Sequence, residues 1–289
     1  MNALVSRRPY NAGSFAADNT TLAQTSGGLF AEVWRRQPVL TAVALLFLLA
    51  MIPTSIAAQF DTRTVNGISV WVKPTKFLLS LAVYYATLAW YFGYLPRAAQ
   101  STRVARFVVW GAIVVGVAEM FWLIAAAVAG VPAHFNRTSA VWAGAYFAAG
   151  AGATTLLIAM LLQARMIARD GLATLSPAFR AAVVIGAQVA FFGTLITAFV
   201  LAGGAGHWVG GATSDANGLA LVGWSRTGGD LRVAHFWALH AQQLLPLSVW
   251  ALTKRFDLSR AAVRWLAVGY VAFVALTFGQ ALMGLPFIG

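Results

Sequence analysis

Seven apolar runs, each about 20 residues or longer, divide this chain: about 38–60, 74–95, 107–130, 140–163, 181–203, 232–252 and 264–287. A helix needs about 20 mainly apolar residues to cross the hydrocarbon of a bilayer. Composition agrees, because the chain is 60% hydrophobic and only 10% charged, whereas soluble domains carry about 25% charged residues. The expected fold class is all-α: a polytopic membrane protein, a bundle of about seven transmembrane helices. Prolines stand at run edges, at Pro38, Pro74, Pro96, Pro132 and Pro177, where they start helices well and continue them badly. Pro53 and Pro246 lie inside runs and should kink them. Pro246 has no N–H, so it frees the backbone carbonyl of Gln242.

The basic residues set the expected orientation. Of 20 lysines and arginines, 14 flank one side, from Arg7, Arg8, Arg35 and Arg36 to Lys254, Arg255, Arg260 and Arg264. Arg63, Lys73, Lys76, Arg137, Arg226 and Arg232 flank the other. The first side reads as cytoplasmic, which gives an N-in, C-out chain in a cell membrane of the bacterial inner-membrane kind. Residues 1–37 read as a mostly disordered cytoplasmic tail. Residues 38–289 read as the membrane domain, with a glycine-rich outer loop over 204–231 that could fold across the bundle as a lid.

The net charge of +12 does not indicate nucleic acid, because the basic residues sit between apolar runs and build no recognition helix. Cysteine is absent, which removes disulfides, iron–sulfur ligation and thiolate metal sites. A retinal protein would need a lysine in the last run, which offers Gln280 instead. A metal site of the last-span HxxxH kind is not matched either, because His235 and His240 are five apart and lie one run earlier.

Ionisable residues inside a membrane span are costly and point to function. The sixth run opens on Asp230 and Arg232 and continues through His235, His240, Gln242 and Gln243. At 100° per residue, most of these polar groups share one face. Glu119 in the third run and His240 in the sixth are expected at similar depth, as a buried pair. The outer rim adds Lys73, Lys76, His134, Asn136, Arg137 and His207.

These residues suggest an outward-facing polar and basic pocket that binds or processes a lipid or a small anionic molecule. Glu119, His240, His235 and His134 would be the acid–base groups. Arg137, Asn136, Arg232, Gln243, Lys73, Lys76 and Asp230 would hold the ligand. Zinc would fall to His134, His235 and His207, since histidine with carboxylate suits that metal; haem would use His240. A proton-coupled transporter working through Glu119 and His240 is the alternative, and a non-catalytic structural or assembly subunit another. The inner halves of the runs show little beyond Gln188 and Asp170, which argues against a through-path. Ala140, Gly144, Ala148 and Gly152 form a small-residue stripe that could seat another helix or a second copy. Ser101, Arg106 and Gly111 recur as Ser259, Arg264 and Gly269, the mark either of a duplicated hairpin or of a serine cap followed by a basic residue.

Overall fold

The computed structural model describes residues 28–289. The expected tail lies outside these residues up to position 27. Nine of its described residues form a short helix, α1 (Gly28–Arg36). Each apolar run is helical: α2 (Pro38–Phe60), α3 (Val72–Phe92), α5 (Arg103–Ala129), α6 (Ala140–Asp170), α7 (Pro177–Gly203), α8 (Leu231–Leu252) and α9 (Arg260–Leu282), with one turn, α4 (Arg97–Gln100), ahead of α5. Five of them, α2, α5, α6, α7 and α9, are long and apolar enough to cross a membrane. The other two, α3 with 21 residues and α8 with 22, carry more of the polar side chains, although Glu119 lies on α5 and Gln163 on α6.

Those two are also the most enclosed. Along α3, Leu78, Tyr85, Leu88, Ala89 and Phe92 are all but inaccessible, and along α8 so are Ala234, Ala238, Ala241 and Leu245. The apolar helices around them show the reverse, with Leu46, Phe121, Phe147, Phe199 and Leu276 exposed. Helices wrapped by other helices need no lipid-like surface, so polar residues concentrate there at least cost.

Close approach of α7 and α8 depends on small residues. A Cβ added to Gly186 would lie 2.8 Å from the Ala241 carbonyl, and one on Gly193 3.1 Å from Ala238. The stripe noted in the sequence is different. Ala140, Gly144 and Ala148 face outward, and a Cβ on Gly144 meets nothing within 4 Å. Of its two glycines, Gly152 is the one approached among the described residues, by Val115 at 3.2 Å.

Side chains cap the helices where the sequence supplies them. Ser139, Ser176 and Ser259 accept from Trp142, Phe179 and Ala262 N–H, satisfying donors that a helix start leaves orphaned. The echo between residues 101–111 and 259–269 breaks here. Thr102, not Ser101, caps the start of α5, and a π-turn follows at Phe107–Gly111. A serine or threonine cap followed by arginine explains that likeness without duplication.

Three connections meet at one end of the bundle. Residues 61–71 form a hairpin, β1 (Thr64–Val65) against β2 (Ile68–Ser69), turned by Asn66 and Gly67 at φ 55° and 82°, as a two-residue turn of this kind requires. A Cβ on Gly67 would press on Ser214 Oγ at 2.6 Å, so the long connection lies directly on the hairpin. That connection, 204–230, pairs its ends as β3 (Trp208–Val209) with β4 (Gly229–Asp230) and receives Asn66 through Asp215 N–H, 2.8 Å from the Asn66 carbonyl. This connection, the stretch expected as a lid, is termed the lid.

Candidate functional site

The lid is locked by a charged network. Arg232, in the first turn of α8, reaches Asp230 at 2.7 Å and Asp215 at 2.8 Å, and donates to the Gly223 carbonyl at 2.6 Å. His207 Nε2–H donates to the same Asp215 carboxylate at 3.0 Å. Burial alone would raise the Asp215 carboxyl; the His207 hydrogen bond and the Arg232 charge outweigh it and hold the group below its usual value. Asp230 also caps α8 through Arg232 N–H, 3.0 Å away, and accepts from Ser225 N–H at 2.9 Å.

Several of the expected ligand residues already have partners within the protein. Arg232 spends its guanidinium on two carboxylates and a carbonyl and so ties the lid to α8. Arg137 donates to the Ala202 carbonyl at 2.9 Å and so caps the C-terminal turn of α7. Asn136 is buried and closes its own turn, accepting from Thr138 N–H and hydroxyl at 3.2 and 2.7 Å. Lys76 donates to the Val222 carbonyl at 3.0 Å, another tie to the lid. His207 belongs to the lid lock and is separate from the other histidines; among the described residues no three histidine or carboxylate groups come together as a metal ion would need.

Beneath the lid lies a second cluster. Glu119, nearly buried in α5, has His134 Nε2 at 3.9 Å from Oε1. The expected partner was His240. Equal depth is a condition for pairing, but it does not fix position around the bundle. The loop after α5 turns back at Phe135, whose φ of 63° is left-handed, and this brings His134 inward against Phe77 and Tyr146 at ring distances of 5.9 and 5.6 Å. Burial holds the His134 imidazole well below the usual histidine range, and the charges of Lys73 and His235 act in the same direction. Its Nδ1 has no hydrogen-bond partner among the described residues.

Lys73 enters this cluster from the first turn of α3. Its ammonium lies 6.0 Å from the Phe77 ring centroid and within electrostatic reach of Glu119, Asp215 and Arg232. No hydrogen bond from it is made among the described residues. From α8, His235 meets Thr197 of α7, with Nδ1 3.1 Å from the threonine hydroxyl. Lys73, Glu119, His134 and His235, from α3, α5, the following loop and α8, are therefore linked through pairwise electrostatic contacts.

Deeper along α8, His240 packs its ring 4.3 Å from Phe236 and interacts with the Gln243 side chain. Gln243 Nε2 donates to the Thr87 hydroxyl at 3.3 Å. The carbonyl of Gln242 accepts from the Tyr91 phenol at 2.6 Å, and Gln163 Nε2 donates to the Leu88 carbonyl at 2.9 Å. Thr87, Tyr91 and Gln163 went unnoticed in the sequence. Of these, only Gln163, an amide within an apolar run, carries a signal that could have found it.

A groove of about 450 Å³ runs along α2, lined by Met51, Ile52, Ser55, Ile56 and Gln59; none of the cluster residues lines it. No family model, no curated protein and no solved structure matches the chain.

Proposed function

We propose that this multi-pass membrane protein crosses the bilayer seven times, N-terminus in and C-terminus out, and takes up a carboxylate or phosphate group at its outer end. Five apolar helices support the membrane reading. The two further spans of this reading are α3 and α8, whose lengths of 21 and 22 residues suffice for about 30 Å of hydrocarbon. The orientation rests on the basic bias of the flanks.

One observation carries the ligand reading. At the lid end, Arg63 is paired with Asp61, Arg232 with Asp215 and Asp230, while Lys76 and Arg137 are bound to carbonyls. Lys73, half-buried beneath the lid, has three donors and no acceptor among the described residues. An ammonium taken out of bulk water needs acceptors, and an oxyanion supplies them. Glu119 and His134 beside it would exchange protons with the bound group, and the aromatic rings of Phe77 and Tyr146 would wall it.

Binding of inorganic phosphate, acetate and a short-chain phosphatidic acid to the purified protein tests this. Lys73→Met should abolish binding, while Arg137→Gln should retain it. Preference for phosphatidic acid over both free anions would identify a lipid headgroup; preference for the free anions, a soluble ligand. Equal binding by Lys73→Met and the unaltered protein overturns the reading.

A further inference from the structure

The polar groups do not stop at the outer cluster. Glu119 meets His134 at 3.9 Å; His134 and His235 lie within electrostatic reach of one another, as do His235 and His240. His240 touches the Gln243 amide, and Gln243 reaches Thr87 at 3.3 Å. One turn on, Tyr91 holds the adjacent Gln242 carbonyl at 2.6 Å and faces Tyr94 with ring centroids 6.3 Å apart. Tyr94 accepts from Trp90 at 2.8 Å and lies under the Arg36 guanidinium at 4.9 Å, at the opposite end of the bundle.

We propose that this file, Glu119–His134–His235–His240–Gln243–Thr87–Tyr91–Tyr94, conducts protons between the outer site and the opposite face of the membrane. Imidazole suits the task, because it accepts a proton at one ring nitrogen and releases another from the second, returning to neutral after each passage. Hydroxyl and phenol groups continue the line in the inner half, where the Gln243 amide orients Thr87 and bridging water passes the proton across the longer gaps. Each group ends a passage in the protonation state in which it began, so no oxidant or other reactant is needed. The orphaned polar atoms agree: His134 Nδ1, Thr194 Oγ1, and the Gln242 and Gln243 Oε1 atoms lack partners among the described residues. Buried groups left so within a bilayer cost free energy unless water or a ligand serves them. The charged groups near the file are Lys73 on α3, Arg232 and Asp215 at the lid, and Arg36, paired with Glu32, over Tyr94; α6 and α7 add the polar groups Tyr146, Thr194 and Thr197.

This inference rests on the outer site as the entrance, and the two are separable by experiment. The protein is reconstituted in vesicles holding a pH-sensitive dye, and a potassium diffusion potential drives proton flux, with and without external phosphate. The unaltered protein should exceed protein-free vesicles severalfold in at least one condition. Thr87→Val and His240→Phe should return the flux to background while phosphate binding through Lys73 persists. Thr87→Val nearly conserves shape, so it decides the matter if His240→Phe fails to fold. Background flux from the unaltered protein in both conditions, or full flux through Thr87→Val, overturns the proton path. Loss of phosphate binding in the unaltered protein would instead remove the outer site.

Discussion

The phenol of Tyr91 donates to the backbone carbonyl of Gln242 at 2.6 Å, and that carbonyl is the one Pro246 leaves without a helical partner. The proline position in α8 is thereby paired with a side chain of α3, and two helices of the core are joined at a point that proline chemistry alone marks out. Tyr91→Phe should destabilise the protein by about 1–3 kcal/mol, the range for an unmet buried acceptor. Pro246→Ala restores the amide donor within the helix. Thermal unfolding in detergent should therefore show Tyr91→Phe costing less on the Pro246→Ala background, and strictly additive costs would break the link.

Glycine positions give a contrast between two helices. Gly186→Ala places a Cβ 2.8 Å from the Ala241 carbonyl, so the α7–α8 contact must open, and overpacking of this kind costs about 1–3 kcal/mol. Gly144→Leu meets no atom within 4 Å and should leave monomer stability within about 0.5 kcal/mol. A loss of stability from Gly144→Leu comparable with that from Gly186→Ala would place the outward stripe inside an assembly.

Acid should weaken the fold through His134. Its folded-state pKa lies well below the unfolded value of about 6.5, so the unfolded chain takes up the proton first. The neutral buried imidazole is therefore fully tolerated above about pH 6.5, and stability falls below it, by at most about 1.4 kcal/mol per pH unit from this residue. Unfolding midpoints measured from pH 7.5 to pH 5 should decline, and His134→Gln should flatten that slope. An unchanged slope would show that His134 is protonated equally in both states. Asp215, depressed by His207 and Arg232, acts only lower: its contribution is present above about pH 4 and is lost as the pH falls further.

Breaking the lid lock should free the loop without unfolding the helices. Arg232→Gln leaves the Asp215 and Asp230 carboxylates without their cation, a change costing about 3–5 kcal/mol for buried pairs; the part-exposed guanidinium puts it at the lower end of that range. Hydrogen exchange should accelerate across residues 204–230 and remain slow in α3 and α7. Unaltered exchange in the loop would mean that the hairpin contact through Asn66 suffices to hold it.

How far the sequence reveals this arrangement depends on distance along the chain. Helix positions follow from local facts, namely apolar length, edge prolines and serine caps, and each expected run lies on a helix. The Gln242 carbonyl is equally local, since Pro246 names it. Its acceptor role is legible, but its donor is not, because Tyr91 lies 151 positions away. The Glu119 partner fails for the same reason. Rise per residue gives depth along an axis, yet says nothing of where a helix stands in the bundle or whether a loop residue such as His134 folds inward. Arg137 and Arg232 looked like anion ligands because their charge is visible in the sequence and their carbonyl and carboxylate partners are not.

The chain has no cysteine, so single introduced thiols report access to the site without background. Lys73→Cys and His235→Cys, with Phe121→Cys and Phe199→Cys as outward-facing controls, are to be exposed in intact cells to a membrane-impermeant thiol reagent. The account predicts modification at 73 and 235 from outside and none at either control. Protection of both site positions, or their modification only from the cytoplasmic side, would contradict an outward-opening site beneath the lid.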